Sequence, residues 1–360
     1  MTDAPVVNLH GYEARAAERL PRMVFDYFAG GAGDEVTLRE ARHAWDALAV
    51  RYRVLRDVAQ VSLATTVLGA ALDWPVLVAP MAFQALADPE GELATMRAAT
   101  GTGSGLVLST LATRPIEAVR AAGTAPLWFQ LYVFKDRGLT AAMVARAEAA
   151  GATALVLTVD APLLGRRERD LLNGFHVPPD TPIPNLAPEA RRDLAAAPLA
   201  ASALGEFTAR HWDPSLSWRD LAWLQARTRL PILVKGVVRG DDARESLAHG
   251  AAGVIVSNHG GRQLDTAVAT ARALPEVADA MAGAGTLLVD GGVRRGTDVL
   301  KALALGAHAV LLGRPVLWGL AVDGAAGAAR VLQLLRDETA LAFALAGCRT
   351  PAEVTADLLA

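Results

Sequence analysis

Eight short apolar segments recur along the chain, and most are followed by an Ala-rich stretch whose apolar residues have helical spacing. The segments span Pro75–Pro80, Gly105–Thr110, Leu127–Tyr132, Ala154–Asp160, Pro231–Gly236, Gly253–Ser257, Thr286–Gly291 and Ala309–Arg314. Their length and β-branched content are typical of parallel strands that are buried on both faces. Eight alternations of strand and helix predict an α/β fold, a closed (β/α)8 TIM barrel. A doubly wound open sheet is the competing interpretation, and the count of eight favours the barrel.

The composition is that of a large globular protein and excludes several other classes of protein. Hydrophobic residues make up 52% of the 360 residues, and α/β barrels of this size occur as one domain. The formal net charge of -3 indicates neither a nucleic-acid partner nor an anionic membrane. The single cysteine, Cys348, excludes an internal disulfide and a cysteine-built metal site. The chain has no signal peptide and no apolar run of membrane-helix length, so we expect a cytoplasmic protein.

Two parts of the chain lie outside the eightfold pattern. Residues 1–70 form a predicted N-terminal helical extension, in which Pro21 and Gly30 bracket a short helix with Tyr27 on its apolar face. Residues 161–230, after the fourth predicted strand, are rich in Pro and Ala and are too long for an ordinary connection. We interpret this stretch as an excursion over the barrel mouth that acts as a lid. A second domain is the weaker interpretation, because the stretch lacks periodic apolar runs, so we expect one domain over residues 1–360.

Polar side chains end or follow most of the predicted strands. They are Ser109 and Thr110, Gln130 and Tyr132, Thr158 and Asp160, Lys235, Ser257 to His259, Asp290, and Arg314. The carboxyl ends of the strands meet at one end of such a barrel, where the active sites of this fold lie. A strand buried on both faces does not need polar groups, since each costs free energy to bury without a partner. The set therefore predicts a ligand site at this end.

The segment Ser257–Asp265, with the sequence SNHGGRQLD, combines a titratable base with a fixed cation. Gly260 and Gly261 allow a sharp turn and a close approach of a ligand to the main chain. Arg262 would hold a carboxylate through two donors, while His259 takes a proton from the adjacent carbon or oxygen. A surface turn whose His and Arg face water is the alternative, and the neighbouring motifs argue against it.

Glycine- and arginine-containing loops follow the last two predicted strands. The first is Asp290–Gly296, with the sequence DGGVRRG, and the second is Gly313–Arg314. In this fold the loops after strands seven and eight commonly bind phosphate through backbone N–H groups and a helix N-terminus. The two loops therefore predict a phosphate-bearing cofactor or substrate, whereas ordinary Gly-rich loops are the alternative.

These motifs together resemble the FMN-dependent α-hydroxy acid oxidase and dehydrogenase family, which includes L-lactate and glycolate oxidases. The resemblance rests on Ser257–Asp265, Asp290–Asp298, Gly313–Pro315, Phe129–Tyr132 and Leu157–Asp160, and it extends from Tyr27 to about Cys348. It implies a (β/α)8 barrel that binds FMN, is commonly a homotetramer and oxidises a small 2-hydroxy acid.

The resemblance also implies roles for residues at the matching positions. His259 would be the base, Asp160 would orient its imidazole, and Tyr132 would contact the substrate hydroxyl. The residues implied for the substrate carboxylate are Tyr27, Arg167 and Arg262. Asp160 should raise the pKa of His259 while the two arginines lower it, so the balance is open from sequence.

The FMN site implied by the resemblance draws on the strand ends and on both phosphate loops. Its residues are Pro80, Met81, Ala82, Ser109, Gln130, Thr158, Lys235, Ser257, Asp290, Gly291, Gly292, Val293, Arg294, Gly313 and Arg314. Lys235 would face the pyrimidine edge of the flavin, where negative charge appears on reduction.

Met81 and Leu111 are implied to form a modest apolar pocket for the side chain of the substrate. Many glycolate oxidases carry Trp at the position of Leu111, so the pocket favours L-lactate, and Trp212 would close it. One methylene in such a pocket is worth only about 1–3 kcal/mol, so glycolate and mandelate or hydroxymandelate remain alternatives.

We expect O2 to reoxidise the reduced flavin and to give H2O2 and a 2-oxo acid. No haem domain precedes Tyr27, and the excursion lacks a long apolar segment for membrane docking. A dehydrogenase with another acceptor and a monooxygenase that decarboxylates its product remain alternatives. A non-redox FMN isomerase and an inactive flavin-binding protein are more remote, because neither needs a base and several carboxylate-binding groups at one site.

Overall fold

The computed structural model describes residues 5–186, 190, 192–193 and 203–360. Within these ranges the chain forms strands β1 to β10. In chain order they span Thr65–Val67, Ala70–Leu72, Val76–Val78, Gly105–Leu108, Leu127–Leu131, Leu155–Thr158, Ile232–Val237, Gly253–Val256, Thr286–Val289 and Ala309–Leu312. Strands β3 to β10 form a closed barrel in which all neighbours are parallel and β10 pairs with β3. The predicted (β/α)8 barrel is confirmed, and each of the eight apolar segments coincides with one of its strands, although β7 continues one residue past its segment to Val237.

The interior of the barrel is filled by apolar side chains. Each barrel strand contributes to one buried cluster, whose members include Leu77, Val107, Trp128, Val156, Leu233, Ile255, Leu288 and Leu311. Alternate residues, such as Val76 and Val78, belong to the larger cluster shared with the helices. This period of two, with both faces buried, explains why the strands are apolar throughout. Val67 and Leu72 of the β1–β2 hairpin join the inner cluster, so the hairpin covers the amino end of the barrel.

Helices α1 to α3 precede the first barrel strand in the chain, and helices α4 to α13 follow it and alternate with the barrel strands. In chain order they span Leu9–Arg19, Arg22–Ala29, Val36–Asp46, Glu92–Thr102, Ile116–Ala121, Arg137–Ala149, Glu168–Leu172, Ala203–His211, Trp218–Gln225, Gly240–Ala248, Thr270–Met281, Gly296–Ala304 and Arg314–Ala346. One or more helices lie between each pair of consecutive barrel strands, and α13 follows β10. Helix α13 has a kink at Asp323 and Gly324, where the backbone is not helical.

The N-terminal extension contains the predicted short helix α2, which begins after Pro21 and ends before Gly30. Two arginines that are distant in sequence, Arg262 and Arg314, bind the carbonyl groups at the C-terminal end of α2. Arg262 donates to the carbonyl oxygens of Tyr27 and Gly30, and Arg314 donates to those of Phe28 and Gly30. Helix ends leave such carbonyls without partners, so these bonds both stabilise α2 and place Tyr27 at the carboxyl ends of the strands.

The stretch predicted as an excursion contains the helices α7, α8 and α9. Residues 187–189, 191 and 194–202 of that stretch lie outside the described part of the chain. Helix α9 takes the place between β6 and β7 that the alternation of strands and helices requires. Of the helices that the structure describes, none combines the length and the apolar character that crossing a membrane would need.

Candidate active site

A cavity of about 160 Å³ lies at the carboxyl ends of the barrel strands. Its wall includes the sequence-predicted residues Tyr27, Pro80, Met81, Ala82, Ser109, Leu111, Gln130, Tyr132, Thr158, Arg167, Lys235, His259, Arg262, Asp290, Gly291, Gly292, Val293, Arg294, Gly313 and Arg314. The other two predicted residues, Asp160 and Ser257, bind side chains that line it, His259 and Lys235 respectively. The structure therefore brings the whole predicted set together.

His259 and Asp160 form a largely buried pair at the end of β6 and β8. The Nδ1 atom of His259 lies 2.8 Å from Oδ1 of Asp160, which leaves Nε2 as the nitrogen available to a ligand. Burial lowers the pKa of His259, and the positive charges of Lys235 and Arg167 act in the same direction, whereas Asp160 opposes them. The imidazole is therefore neutral at pH 7, with its proton on Nδ1 and a free lone pair on Nε2. His259 also has a left-handed backbone with φ 57°, a strained conformation that its surroundings maintain.

Gln263 connects the His259 segment to the loop after β6. Its Nε2 donates to the carbonyl oxygens of Asp160 and Leu163, and its Oε1 accepts from the backbone N–H of Gly165. A side chain at Gly165 would collide with the backbone, since its Cβ would lie 2.4 Å from the carbonyl oxygen of Arg262. The loop that carries Asp160 and Arg167 is thus held directly against the segment that carries His259 and Arg262.

Lys235 forms a second buried pair, with Asp290. The Nζ atom lies 2.9 Å from Oδ2 of Asp290 and donates to Oγ of Ser257 at 2.7 Å. Burial alone would lower the pKa of Lys235, but the carboxylates of Asp290 and Asp160 outweigh it and raise that pKa. Lys235 is therefore a fixed cation in the cavity wall. Ser257 Oγ also accepts from the backbone N–H of His259, so it joins the two pairs.

Four arginines line the cavity and leave it strongly positive: Arg167, Arg262, Arg294 and Arg314. Within the described ranges, no carboxylate forms an ion pair with any of them. Burial and neighbouring guanidinium groups lower the pKa of Arg167 to about 10 and that of Arg314 to about 9. Cations that are taken out of water without counterions are costly, so the cluster indicates that anionic groups bind here.

The two tyrosines of the cavity are neutral hydrogen-bond donors. Burial raises the pKa of Tyr27 and of Tyr132, the latter further because Asp160 is near. Tyr27 is stacked on Phe175, with ring centroids 4.0 Å apart, and the guanidinium of Arg262 lies 4.9 Å from its ring centre. Phenols held in this way can donate to a carboxylate or an oxyanion without ionising.

Several residues of the site were not predicted from sequence. Leu164 and Leu204 line the cavity, and Trp212 stacks on Tyr132 with ring centroids 3.9 Å apart. Trp212 was expected near the pocket, but no sequence signal identified the two leucines. Asp26 was also missed: it is buried and binds Asn173, which fastens α2 to the end of α7. These contacts join segments that are far apart in sequence and carry no local motif.

The cavity fits FMN on its own geometry. Oδ1 of Asp290 is buried and has no hydrogen-bond partner among the described residues, so a cofactor hydroxyl would satisfy it. The arginines supply charge for a phosphate. No group of acidic, His or Cys side chains that would hold a metal occurs in the described ranges.

Comparison with known proteins identifies the family. A family model described as FMN-dependent dehydrogenase matches residues 16–360. The chain belongs to this family. It is 52% identical to an L-lactate oxidase of Nostoc sp., over 95% of this chain and 94% of the relative. It is 50% identical to a glycolate oxidase of Spinacia oleracea, over 97% of this chain and 94% of the relative.

The fold also matches a solved structure. A crystal structure of mandelate oxidase with (S)-4-hydroxymandelic acid superposes with a TM-score of 0.94 at 42% identity, over 99% of this chain and 98% of the other. Lactate, glycolate and mandelate are all 2-hydroxy acids, so the matched proteins share one type of reaction. The FMN cofactor expected from sequence is confirmed by the family and by these relatives.

Proposed function

We propose that the protein oxidises a small (S)-2-hydroxy acid, preferentially L-lactate to pyruvate, and reduces O2 to H2O2. The coarser class follows from the family match and the curated relatives: the chain is an FMN-dependent 2-hydroxy acid oxidase, an oxidoreductase that acts on a CH–OH group with oxygen as acceptor. The observation that carries the proposal is the His259–Asp160 pair, which faces the same cavity as Arg262.

His259 would remove the hydroxyl proton of the substrate through Nε2. The reaction removes that proton and a hydride equivalent from the α-carbon, and bound FMN supplies the electron-accepting chemistry for the hydride. Asp160 holds the Nδ1 proton and stabilises the imidazolium that forms, because its carboxylate accepts a hydrogen bond at 2.8 Å. The proton thus rests on His259 until it is released or passed on.

Arg262 would bind the carboxylate of the substrate. Its Nη1 atom is occupied by the carbonyl oxygens of Tyr27 and Gly30, whereas Nε and Nη2 have no such partner among the described residues. These two atoms form the face of the guanidinium that binds a carboxylate through two parallel hydrogen bonds. Tyr27 would add a third hydrogen bond, and Arg167 would contribute a second positive charge. Tyr132 would donate to the substrate oxygen.

The remaining predicted residues would hold FMN. Arg294, Arg314 and the backbone of Gly291 to Val293 would bind the phosphate, and Asp290 would accept from a hydroxyl of the sugar chain. Lys235 would place its charge beside the flavin ring. The residues at the ends of the earlier strands, Pro80 to Ala82, Ser109, Gln130 and Thr158, would line the ring.

The preference for lactate rests on the apolar part of the cavity. Met81, Leu111, Leu164, Leu204 and Trp212 surround the space for the side chain of the acid. They offer no polar group suited to a second carboxylate, and the indole of Trp212 would reduce the room left for an aromatic substituent. The 52% identity with the Nostoc L-lactate oxidase supports the same choice. Oxidation of a mandelate-type acid is the second candidate, favoured by the TM-score of 0.94 with mandelate oxidase.

The purified holoenzyme distinguishes these substrates. L-lactate, glycolate and (S)-mandelate are each mixed with it without oxygen, and the visible flavin band is followed before and after air is admitted. We expect L-lactate to bleach the band fastest, and air to restore it with formation of H2O2. Faster bleaching by (S)-mandelate would mean that the pocket prefers 2-hydroxy acids with an aromatic side chain. Bleaching that air does not reverse would mean that the electron acceptor is not oxygen. No bleaching by any of the three acids would reject the proposal.

Three further sequence predictions concern the assembly and the setting of the enzyme. We infer a homotetramer in the cytoplasm, and a single domain whose 161–230 stretch acts as a lid. Light scattering after size exclusion checks the tetramer. Hydrogen exchange of residues 161–230, with and without pyruvate, checks the lid, because a lid is more protected when a ligand is bound.

A further inference from the structure

A second cavity lies beside the candidate active site. Its volume is about 480 Å³, and apolar residues such as Leu157, Val234 and Leu221 form much of its wall. We call it the annex. Three residues line both the annex and the active-site cavity: Tyr132, Thr158 and Trp212. These shared residues form the boundary between the two spaces.

The backbone at Trp212 is firmly attached to the segment after β5. Residues Phe134 and Trp212 form an antiparallel bridge, the N–H of Lys135 donates to the carbonyl oxygen of His211, and the N–H of Asp213 donates to that of Val133. Helix α6 strengthens this attachment, since Arg137 lies 2.6 Å from a carboxylate oxygen of Asp213. The position of the Trp212 backbone is therefore set by hydrogen bonds and an ion pair.

The Trp212 side chain, in contrast, is held by packing alone. It is 5% exposed and stacks on Tyr132, and its indole Nε1 has no hydrogen-bond partner among the described residues. Thr158, which also lies on the boundary, is bound by Gln130. Tyr132 belongs to the proposed substrate site. Trp212 is therefore the boundary residue that can be made smaller without removing a polar contact of the substrate.

We infer that Trp212 limits the length of the substrate side chain, because its indole separates the active site from the apolar annex. When the indole is removed, the annex accepts the aliphatic chain of longer 2-hydroxy acids. This inference rests on the proposed function and adds the residue that restricts it to small acids. The chemistry of the annex specifies an aliphatic chain. Asp213 and Asp242 line it, so a second carboxylate would meet like charge there.

The test compares Trp212→Ala, Trp212→Leu and wild-type holoenzyme on (S)-2-hydroxy acids of three, six and eight carbons and on (S)-2-hydroxyglutarate. Burial of one methylene is worth roughly fourfold in kcat/KM. We expect kcat/KM for 2-hydroxyoctanoate, relative to L-lactate, to rise at least tenfold in both variants, with no gain for 2-hydroxyglutarate. Binding of 2-oxooctanoate, the product of 2-hydroxyoctanoate oxidation, is followed by the flavin difference spectrum and should tighten in parallel.

Two control variants separate the annex from a general loosening of the site. Leu305→Ala removes a half-buried apolar side chain after α12 that lines neither cavity, and it should leave the chain-length profile unchanged. Leu216 also lines the annex, so Leu216→Trp, introduced into Trp212→Leu, should fill this space and abolish the gain.

Several outcomes would overturn the inference. They are an unchanged profile in flavin-loaded variants that still oxidise lactate, an equal gain for 2-hydroxyglutarate, and a gain that survives Leu216→Trp. Failure of wild type to be reduced by any 2-hydroxy acid would instead refute the proposed function. If Trp212→Ala does not fold, Trp212→Leu gives the same decision because it keeps an apolar contact with Tyr132.

Discussion

The two buried acid–base pairs of this protein, His259–Asp160 and Lys235–Asp290, have nearly the same geometry but opposite electrostatic character. The paired atoms are 2.8 Å apart in the first pair and 2.9 Å apart in the second, and both pairs lie at the carboxyl ends of the barrel strands. Burial shifts the pKa of both bases downward, yet the net shift is downward only for His259, and for Lys235 it is upward.

The difference arises from the ordinary pKa values and from the neighbours of each base. Imidazole titrates near pH 6.5, so burial together with the nearby cations Lys235 and Arg167 leaves His259 neutral at pH 7. The ammonium of Lys235 titrates near 10.5 and faces two carboxylates, Asp290 and Asp160, so it remains charged. One pair can therefore accept a proton, whereas the other supplies a constant positive charge. Similar contacts thus serve different chemistry.

Removing the base of the first pair should have the largest effect. In His259→Ala we expect the rate of flavin reduction by L-lactate to fall by about 10² to 10⁴, because a positioned base contributes that much. FMN should remain bound, since the phosphate loops are unchanged. Stopped-flow absorbance measures the rate, and the exposed His43→Ala serves as the control. Equal rates in His259→Ala and wild type would refute the role of this residue as the base.

Removing the cation of the second pair should instead destabilise the protein. Lys235→Met leaves Asp290 buried without its counterion, so we expect the free energy of unfolding to fall by about 3–5 kcal/mol. The FMN content should fall as well. Adding Asp290→Asn should restore part of the stability, because the orphaned charge is removed. Urea denaturation measures each variant.

Lys301→Met is the matched control for this prediction. Lys301 is also buried, but its Nζ donates to the carbonyl oxygen of Trp45, and no described carboxylate forms an ion pair with it. Its removal should therefore cost less. If both lysine variants lose the same stability, the pairing of Lys235 with Asp290 is not what distinguishes Lys235.

Neutralising Asp160 should slow the reaction and move its pH dependence. Asp160 raises the pKa of His259 against the effect of burial, so Asp160→Asn should lower that pKa further and shift the acid limb of kcat/KM to lower pH. The rate should fall roughly 10²-fold, because the imidazolium loses its stabilising charge. A pH profile of the variant beside wild type is the measurement. A limb that moves to higher pH would contradict this account of the pair.

The smallest effect is expected from Ser257, which joins the two pairs. Its hydroxyl accepts from Lys235 and from the backbone N–H of His259, so Ser257→Ala removes one hydrogen bond from each pair. We expect about 1 kcal/mol less stability and a reduction rate that falls less than in Asp160→Asn. Ser246→Ala, which removes a buried hydroxyl from α10, should cost similar stability but leave the rate unchanged. Identical rates in the two serine variants would show that the pairs are independent.

The parts of the site that are encoded in contiguous sequence could be predicted. The segment from Ser257 to Asp265 and the loop from Asp290 to Gly296 each carry several functional side chains within a few residues. Their positions at the ends of apolar strands place them at one end of a parallel barrel. The barrel and the FMN cofactor are borne out for this reason, and the structure places the predicted residues in the wall of one cavity or directly bonded to it. The individual roles of these residues stay predictions.

The other features of the site depend on contacts between segments that are distant in sequence, and such contacts leave no recognisable pattern in the local sequence. The stacking of Trp212 on Tyr132 and the annex behind it require the backbone bridge between two loops about 80 residues apart. The binding of α2 by Arg262 and Arg314 depends on carbonyl groups, which any sequence possesses. The pKa of His259 was open from sequence because Asp160 and the cations oppose each other, and burial, which only the fold determines, decides the balance.

The pH dependence of kcat/KM for L-lactate tests the central claim most directly, because it reports the pKa of the base in the free enzyme. The pKa of His259 is lowered below its ordinary value of 6.5. As the pH falls from about 8, we therefore predict that kcat/KM declines with a midpoint below pH 6.5. A decline whose midpoint lies above pH 6.5 would mean that Asp160 raises the pKa of His259 more than burial lowers it. That result would contradict the claim that His259 is a neutral base in the free enzyme.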